Sequence, residues 1–240
     1  MGLPLHPLEE QEFLDFIGKC VREKRKASAL YLNIHGAVLA LNHPWLFEFY
    51  RQVDLVFCDG DGIRLGLKLL GQEPPPKITL TRSIWRLAEF CEKEGLRLFL
   101  LGASPQVAAE AARRLKEKNS ERVVAGFHDG YFQKSGPEND RVISAINQAK
   151  PDLVVVCFGM PIQEKWIMEN SGKLEAKVLV SAGGVLDYVA GSLGKAPDWM
   201  IRLHLEWMFR VWQEPGRLLG RYLTEIPYFF YRILLYRLKK

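Results

Sequence analysis

The stretch that decides the fold runs from Asp152 to Gly159 and reads Asp-Leu-Val-Val-Val-Cys-Phe-Gly. Its apolar run has the length of a strand, is rich in β-branched Val, and closes on Gly, with no polar face left for water. Such a strand needs cover on both faces, which is the condition of a parallel sheet flanked by helices. Working outward, runs of the same kind recur at Ala29 to Ile34, Asp54 to Asp59, Arg97 to Gly102, Arg122 to Phe127 and Lys177 to Gly184. Longer segments with helical spacing separate them. Residues 83–94 place Ile84, Leu87, Ala88 and Cys91 on one face, and residues 105–118 open with Pro105 at the first helical position behind Ser104 as N-cap. This alternation predicts an α/β, Rossmann-like, mostly parallel sheet with helices on both faces, carried by residues 1–194.

Beyond Gly194 the strand pattern stops, and residues 199–238 read as helical with breaks at Pro215 and Pro227. The chain carries 33 Lys and Arg against 28 Asp and Glu, a net charge of +5. From Lys195 to Lys240 there are nine basic residues against four acidic ones, so the whole excess lies in the last 46 residues and the body is neutral. The same stretch holds ten of the 27 aromatic residues. A neutral body with a basic, aromatic helical appendage over residues 195–240 points to a polyanion or an anionic membrane surface as partner. The longest apolar run of that segment, Ile226 to Tyr236, contains Arg232 and falls short of the roughly 20 residues that span a bilayer, so it is expected to lie on a membrane and not to cross it. Residues 1–20 include Glu9, Glu10, Glu12 and Asp15 and do not read as a signal peptide. The four cysteines lack CxxC spacing, which favours a reducing compartment.

In sheets of this kind ligands bind beyond the carboxyl ends of the strands. The polar or Gly-rich strand ends are Asn33-Ile34-His35, Asp59-Gly60-Asp61-Gly62, Gly102-Ala103-Ser104-Pro105 and Gly159-Met160-Pro161. Asp59 and Asp61 admit three readings: a general base at a strand tip, a DxD pair for a divalent metal, or a turn that caps a helix. The Gly102 corner has the look of a phosphate site but lacks GxGxxG and P-loop spacing, and a plain tight turn fits it equally; the same holds for Gly183-Gly184. The histidines show no metal-ligand spacing and read as structural or surface residues. Ser104 and Ser181 have no GxSxG setting. Trp207, Arg210, Arg217 and Arg221 recur at roughly helical spacing, either as a solvated basic face or as a clamp for phosphates beside a membrane.

Taken in order, four pieces resemble the WecG/TagA/CpsF family of bacterial glycosyltransferases. They are Asn33; Asp54-Leu55-Val56 through Asp59-Gly60-Asp61-Gly62-Ile63; Gly159-Met160-Pro161-Ile162-Gln163-Glu164-Lys165-Trp166; and Ala196-Pro197-Asp198-Trp199-Met200 with Leu205-Glu206-Trp207 through Arg221-Tyr222. The resemblance implies an inverting, metal-independent transfer of a sugar from a UDP-sugar to a polyprenyl-diphosphate-linked saccharide, at the cytoplasmic face of the membrane, in cell-surface polysaccharide synthesis. It implies no cofactor. Asp59 takes the place of the base and Gln163 that of a motif glutamine near it, while Gly130 and Tyr131 match a segment near the nucleotide. Tyr31 and Lys77 depart from the common Thr and Arg; Lys keeps the charge without the bidentate fork. The site expected on these grounds comprises Asp59, Lys77 and Gln163 as catalytic residues. Asn33, Tyr31, Gly60, Gly102, Gly130, Tyr131, Gly184, Arg210, Arg217 and Arg221 are expected to bind substrate. Lys77, Arg82 and the tail arginines are the expected counter-charges for the leaving diphosphate. Two other classes compete: a nucleic-acid-binding protein using the tail, disfavoured by the neutral body, and a nucleotide-dependent enzyme such as an NAD-linked oxidoreductase. Exposed apolar helices leave room for a homo-oligomer.

Overall fold

The computed structural model describes residues 2–238. Lys239 and Lys240, two of the basic residues of the tail, lie outside the described residues. The strands are β1 (Ala27–Leu32), β2 (Leu55–Cys58), β3 (Leu98–Gly102), β4 (Val124–His128), β5 (Leu153–Cys157) and β6 (Val178–Ser181). The helices of the body are α1 (Glu10–Arg22), α2 (Ile34–Asn42), α3 (Pro44–Gln52), α4 (Asp61–Leu69), α5 (Leu80–Glu94), α6 (Pro105–Lys118), α7 (Gly136–Ala149), α8 (Ile162–Asn170) and α9 (Val185–Ala190). The tail adds α10 (Asp198–Arg202), α11 (Glu206–Gln213) and α12 (Pro215–Leu238).

All six strands pair in parallel, in the order β2-β1-β6-β5-β3-β4. Every residue of β5 is buried. Leu153, Val155 and Cys157 join the core built with α1, α5, α6 and α9, whereas Val154 and Val156 join the opposite core built with α2, α3, α7 and α8. The uninterrupted apolar run is therefore the signature of a strand whose alternate side chains feed two separate cores. After β3 the chain moves outward to the edge strand β4, and after β5 it moves inward to β6. The connections diverge between β3 and β5, which opens a crevice at the carboxyl ends.

The expected strands all form, most of them shorter than their apolar runs because the polar ends turn into helix caps. Asn33, for example, stands beyond β1 and accepts a hydrogen bond from the Gly36 N–H at 2.9 Å as N-cap of α2. α6 runs from Pro105 with the Ser104 hydroxyl accepting from Val107, as expected.

The tail differs from its sequence reading in one respect. Pro215 stands at the start of α12, but Pro227 sits inside this helix without ending it. The interruption comes instead at residues 203–205, where His204 takes a φ of +59°. Proline removes one backbone donor from a helix. Just beyond it, Phe229 and Ile233 are buried in the core shared with α2 and α4. Burial of each such side chain contributes about 1.5–3 kcal/mol, enough to hold the helix through the defect. Gly66 of α4 permits the approach, since a Cβ there would stand 2.9 Å from the Phe229 ring. The tail is thus seated in the body, which brings its arginines to the crevice. Among the described residues no helix is long and apolar enough to cross a membrane. All four cysteines are buried and free.

Candidate active site

The crevice is a cleft of about 860 Å³ at the carboxyl edge of the sheet. Tyr31, Asn33 and His35 line it from the end of β1, and Ala103 and Ser104 from β3. Gly130 and Tyr131 follow β4, Gly159 and Met160 follow β5, and Gly183 and Gly184 follow β6. Arg210, Arg217 and Arg221 of the tail close the remaining side, together with Glu214. Glu214 holds Arg217 at 2.6 Å and lies 3.7 Å from Arg210. The Nε atoms of Arg210 and Arg221 are buried without a hydrogen-bond partner, although Glu225 stands 3.9 Å from that of Arg221. A desolvated guanidinium N–H with no acceptor is costly, and an anionic ligand in the cleft would satisfy both. The Arg210 guanidinium stacks over Tyr188 at 5.6 Å.

Asp59 follows β2 on a turn next to this cleft, outside the residues that line it, where Gly60 approaches Asn33. Its N–H donates to the Leu32 carbonyl at 3.0 Å, and Gly60 continues the turn at a φ of +125°. Burial pushes the Asp59 carboxyl up to about 6. The charges of Lys77 and Arg210 and a hydrogen bond from Thr79 draw it back down, whereas Glu206 adds to the rise. At neutral pH it is a carboxylate whose proton affinity has been raised, which suits a general base. Asp61 behaves oppositely. Against the effect of burial, the hydrogen bond and charge of Lys77, aided by His204, hold it below the usual carboxylate range. Its oxygens are taken by Lys77 at 2.8 Å, His204 at 3.0 Å and Arg64 at 3.5 Å. Among the described residues no group of three or more His, Cys, Asp or Glu is arranged to hold a metal ion.

The glycosyl transferase WecG/TagA/CpsF family model matches residues 1–240. This chain belongs to that family. It is 30% identical over 197 residues to an N-acetylglucosaminyldiphosphoundecaprenol N-acetyl-beta-D-mannosaminyltransferase of Staphylococcus aureus (strain MRSA252), covering 81% of this chain and 74% of that protein. A protein of the same name from Bacillus subtilis (strain 168) is 29% identical over 206 residues, covering 85% of this chain and 79% of its own length. The chain is accordingly a glycosyltransferase, and the readings as a nucleic-acid-binding protein or an NAD-linked oxidoreductase lose their ground.

In this WecG/TagA/CpsF glycosyltransferase the expected site residues fall into two groups. Tyr31, Asn33, Gly130, Tyr131, Gly184, Arg210, Arg217 and Arg221 line one cleft, with Asp59 and Gly60 on the turn beside it. Gln163, Lys77 and Gly102 do not line it. Gln163 is fully buried: its Oε1 accepts from the Gly183 N–H at 3.0 Å, its Nε2 donates to Glu164 at 2.7 Å, and it hydrogen-bonds Tyr31. It is a strut beneath the Gly183-Gly184 turn. Gly183 takes a φ of +59°, and a Cβ there would meet the Tyr31 hydroxyl at 2.7 Å. Gly102 packs on the Cys157 carbonyl below the cleft. Lys77 and Arg82 are both engaged by Glu206, and Lys77 also by Asp61. They are therefore neutralised where the sequence suggested free counter-charge.

The structure adds residues that the sequence reading passed over. His35, taken there for a structural histidine, lines the cleft, with its Nδ1 2.8 Å from Glu225 of α12. Its place two residues after Asn33 on a strand end was the available signal. Lys134 also lines the cleft, and its ammonium donates to the Gly130 and Phe132 carbonyls at 2.6 and 2.8 Å, fixing the loop that carries Tyr131.

Proposed function

We propose that the enzyme transfers an N-acetylhexosaminyl group, of the N-acetylmannosaminyl kind named for its relatives, from a UDP-sugar to the saccharide of a polyprenyl-diphosphate acceptor, with inversion and without a metal. The observation that carries the reading is the placement of Asp59 next to the arginine-walled cleft: it stands on the turn whose Gly60 approaches the cleft-lining Asn33, and the charge of Arg210, whose Nε is buried and unsatisfied, acts on its carboxyl. Asp59 takes the proton of the acceptor hydroxyl as its oxygen bonds to the anomeric carbon. The bond from that carbon to the β-phosphate oxygen breaks on the opposite face, and its electron pair leaves with UDP. Arg210 and Arg221, with Arg217 at the rim, neutralise the departing diphosphate and so take the part often played by a divalent ion. Asp61 is occupied by Lys77, His204 and Arg64, which argues for these side chains as its partners in place of a metal.

The relatives' names supply the lipid-diphosphate acceptor, and the tail supports docking at an anionic membrane surface as a peripheral protein. Trp199, Leu203, Trp207, Met208 and Trp212 are exposed on α10, α11 and the turn between them, on the segment that bears the excess charge. The domain roles follow: residues 1–194 supply the base and most of the nucleotide-sugar site, and residues 195–240 supply the arginines on its diphosphate side and meet acceptor and membrane. UDP release across a panel of UDP-sugars, with a polyprenyl-diphosphate N-acetylglucosamine acceptor, tests the proposal. Acceptor-dependent release with a UDP-N-acetylhexosamine is expected; release that ignores the acceptor would overturn it.

A further inference from the structure

Charged groups from separate elements meet near Asp59, where the Ile78 N–H donates to the Cys58 carbonyl at 2.9 Å and sets the Lys77–Thr79 segment against the end of β2. Glu206, the first residue of α11, accepts from Lys77 Nζ at 3.2 Å and from Arg82 Nη2 at 2.7 and 2.8 Å. Lys77 Nζ also donates to Asp61 at 2.8 Å, and the other Asp61 oxygen faces His204 of the turn before α11 at 3.0 Å. The charged or titratable groups acting on Asp59 are Lys77 and the Thr79 hydroxyl from the segment before α5, Glu206 and Arg210 from α11, Tyr31 from β1 and Cys58 from β2. Lys77 is the strongest attraction among them, yet its ammonium is spent on Asp61 and Glu206. Released from Glu206, the Lys77 ammonium keeps only Asp61 as a partner and acts more strongly on the Asp59 carboxylate, which weakens the base.

We infer that Glu206 is a positioning residue: by holding Lys77 and Arg82 it keeps Asp59 free for the acceptor hydroxyl, so that the seating of α11 sets the strength of the base. This rests on Asp59 as the base. It gives the tail a role in the chemistry distinct from the arginine wall, since a tail lifted from the body withdraws Glu206 and frees Lys77 at the same time.

The test is the pH dependence of kcat/KM for the full chain with a UDP-N-acetylhexosamine and a polyprenyl-diphosphate N-acetylglucosamine. Glu206→Gln should move the acid limb down by roughly half a unit and lower kcat several-fold, because Lys77 then stabilises the Asp59 carboxylate. Glu206→Asp, which keeps the charge, should restore the wild-type limb. Arg82→Gln should move the limb the opposite way, upward, since Glu206 is then less neutralised. A purely structural role would lower the rate in these variants without moving the limb in opposed directions. An acid limb unmoved in Glu206→Gln overturns the inference; should that variant fail to fold, an unmoved or lowered limb in Arg82→Gln does so. Near-normal turnover in Asp59→Asn would instead strike down the base assignment, which keeps the two failures apart.

Discussion

Replacing Asp59 by Asn should destroy transfer and yet make the protein more stable at neutral pH. Burial raises the Asp59 carboxyl from 3.8 to about 6, so folding disfavours its ionised form. A group with a raised folded-state pKa contributes stability that is fully present below its unfolded pKa and is lost as pH rises through the folded one. That loss is therefore complete above about pH 6 and amounts to at most about 3 kcal/mol, or nearer 2 once water at the cleft is allowed for. Asparagine keeps the shape and carries no charge, so it removes the penalty. For a chain of this size about 2 kcal/mol corresponds to roughly 4–8 °C in Tm. Thermal unfolding of the two proteins at about pH 7.5 should show that gain, and at about pH 4.5 the gap should shrink to about 1 kcal/mol or less. An Asn variant less stable than the parent at pH 7.5, or a gain that does not change with pH, would contradict a burial penalty on the Asp59 carboxylate.

Other outcomes follow from the same geometry. Arg210→Gln removes a buried guanidinium from the diphosphate wall and should weaken UDP binding by about 10- to 100-fold in calorimetric titration, since charge-assisted hydrogen bonds contribute about 1.5–3 kcal/mol. Gly183→Ala sets a Cβ 2.7 Å from the Tyr31 hydroxyl at a φ of +59° and should lower stability by about 1–3 kcal/mol in denaturant unfolding. Ending the chain at Gly194 removes Phe229 and Ile233 from the core and Arg210 from the cleft, so membrane flotation, UDP affinity and thermal stability should all fall together. Trp199→Ala with Trp212→Ala should reduce flotation with anionic liposomes and leave UDP affinity as it was, both side chains being exposed.

The parts of the fold that could be read from sequence are those fixed by local chemistry. β5 announces itself because two cores demand apolar residues on both sides of one strand, and α6 because Ser104 and Pro105 satisfy the first backbone donors of a helix. Asn33, Asp59 and Gly184 were legible as strand-end residues, because the carboxyl edge of a parallel sheet is where ligands meet backbone, whereas Gly130 was legible only through the family resemblance. What stayed hidden depends on partners far away in the chain. Pro227 reads as a break until the Phe229 and Ile233 pockets between α2 and α4 are known. The His35–Glu225 pair joins residues 190 apart, and Arg82–Glu206 joins residues 124 apart, so no spacing rule reaches them. Gln163 was legible as important but not as a strut, since its fully buried position depends on the Gly183 turn folding over it.

The central claim is that Asp59 takes the acceptor proton at the cleft closed by the tail arginines. Single-turnover transfer from a UDP-N-acetylhexosamine to a polyprenyl-diphosphate N-acetylglucosamine, measured with UDP affinity on the same Asp59→Asn sample, tests it directly. Transfer should fall by about 10²- to 10⁴-fold while UDP affinity stays close to that of the parent. Transfer at the parent's rate, or a loss explained wholly by failure to bind UDP, would contradict it.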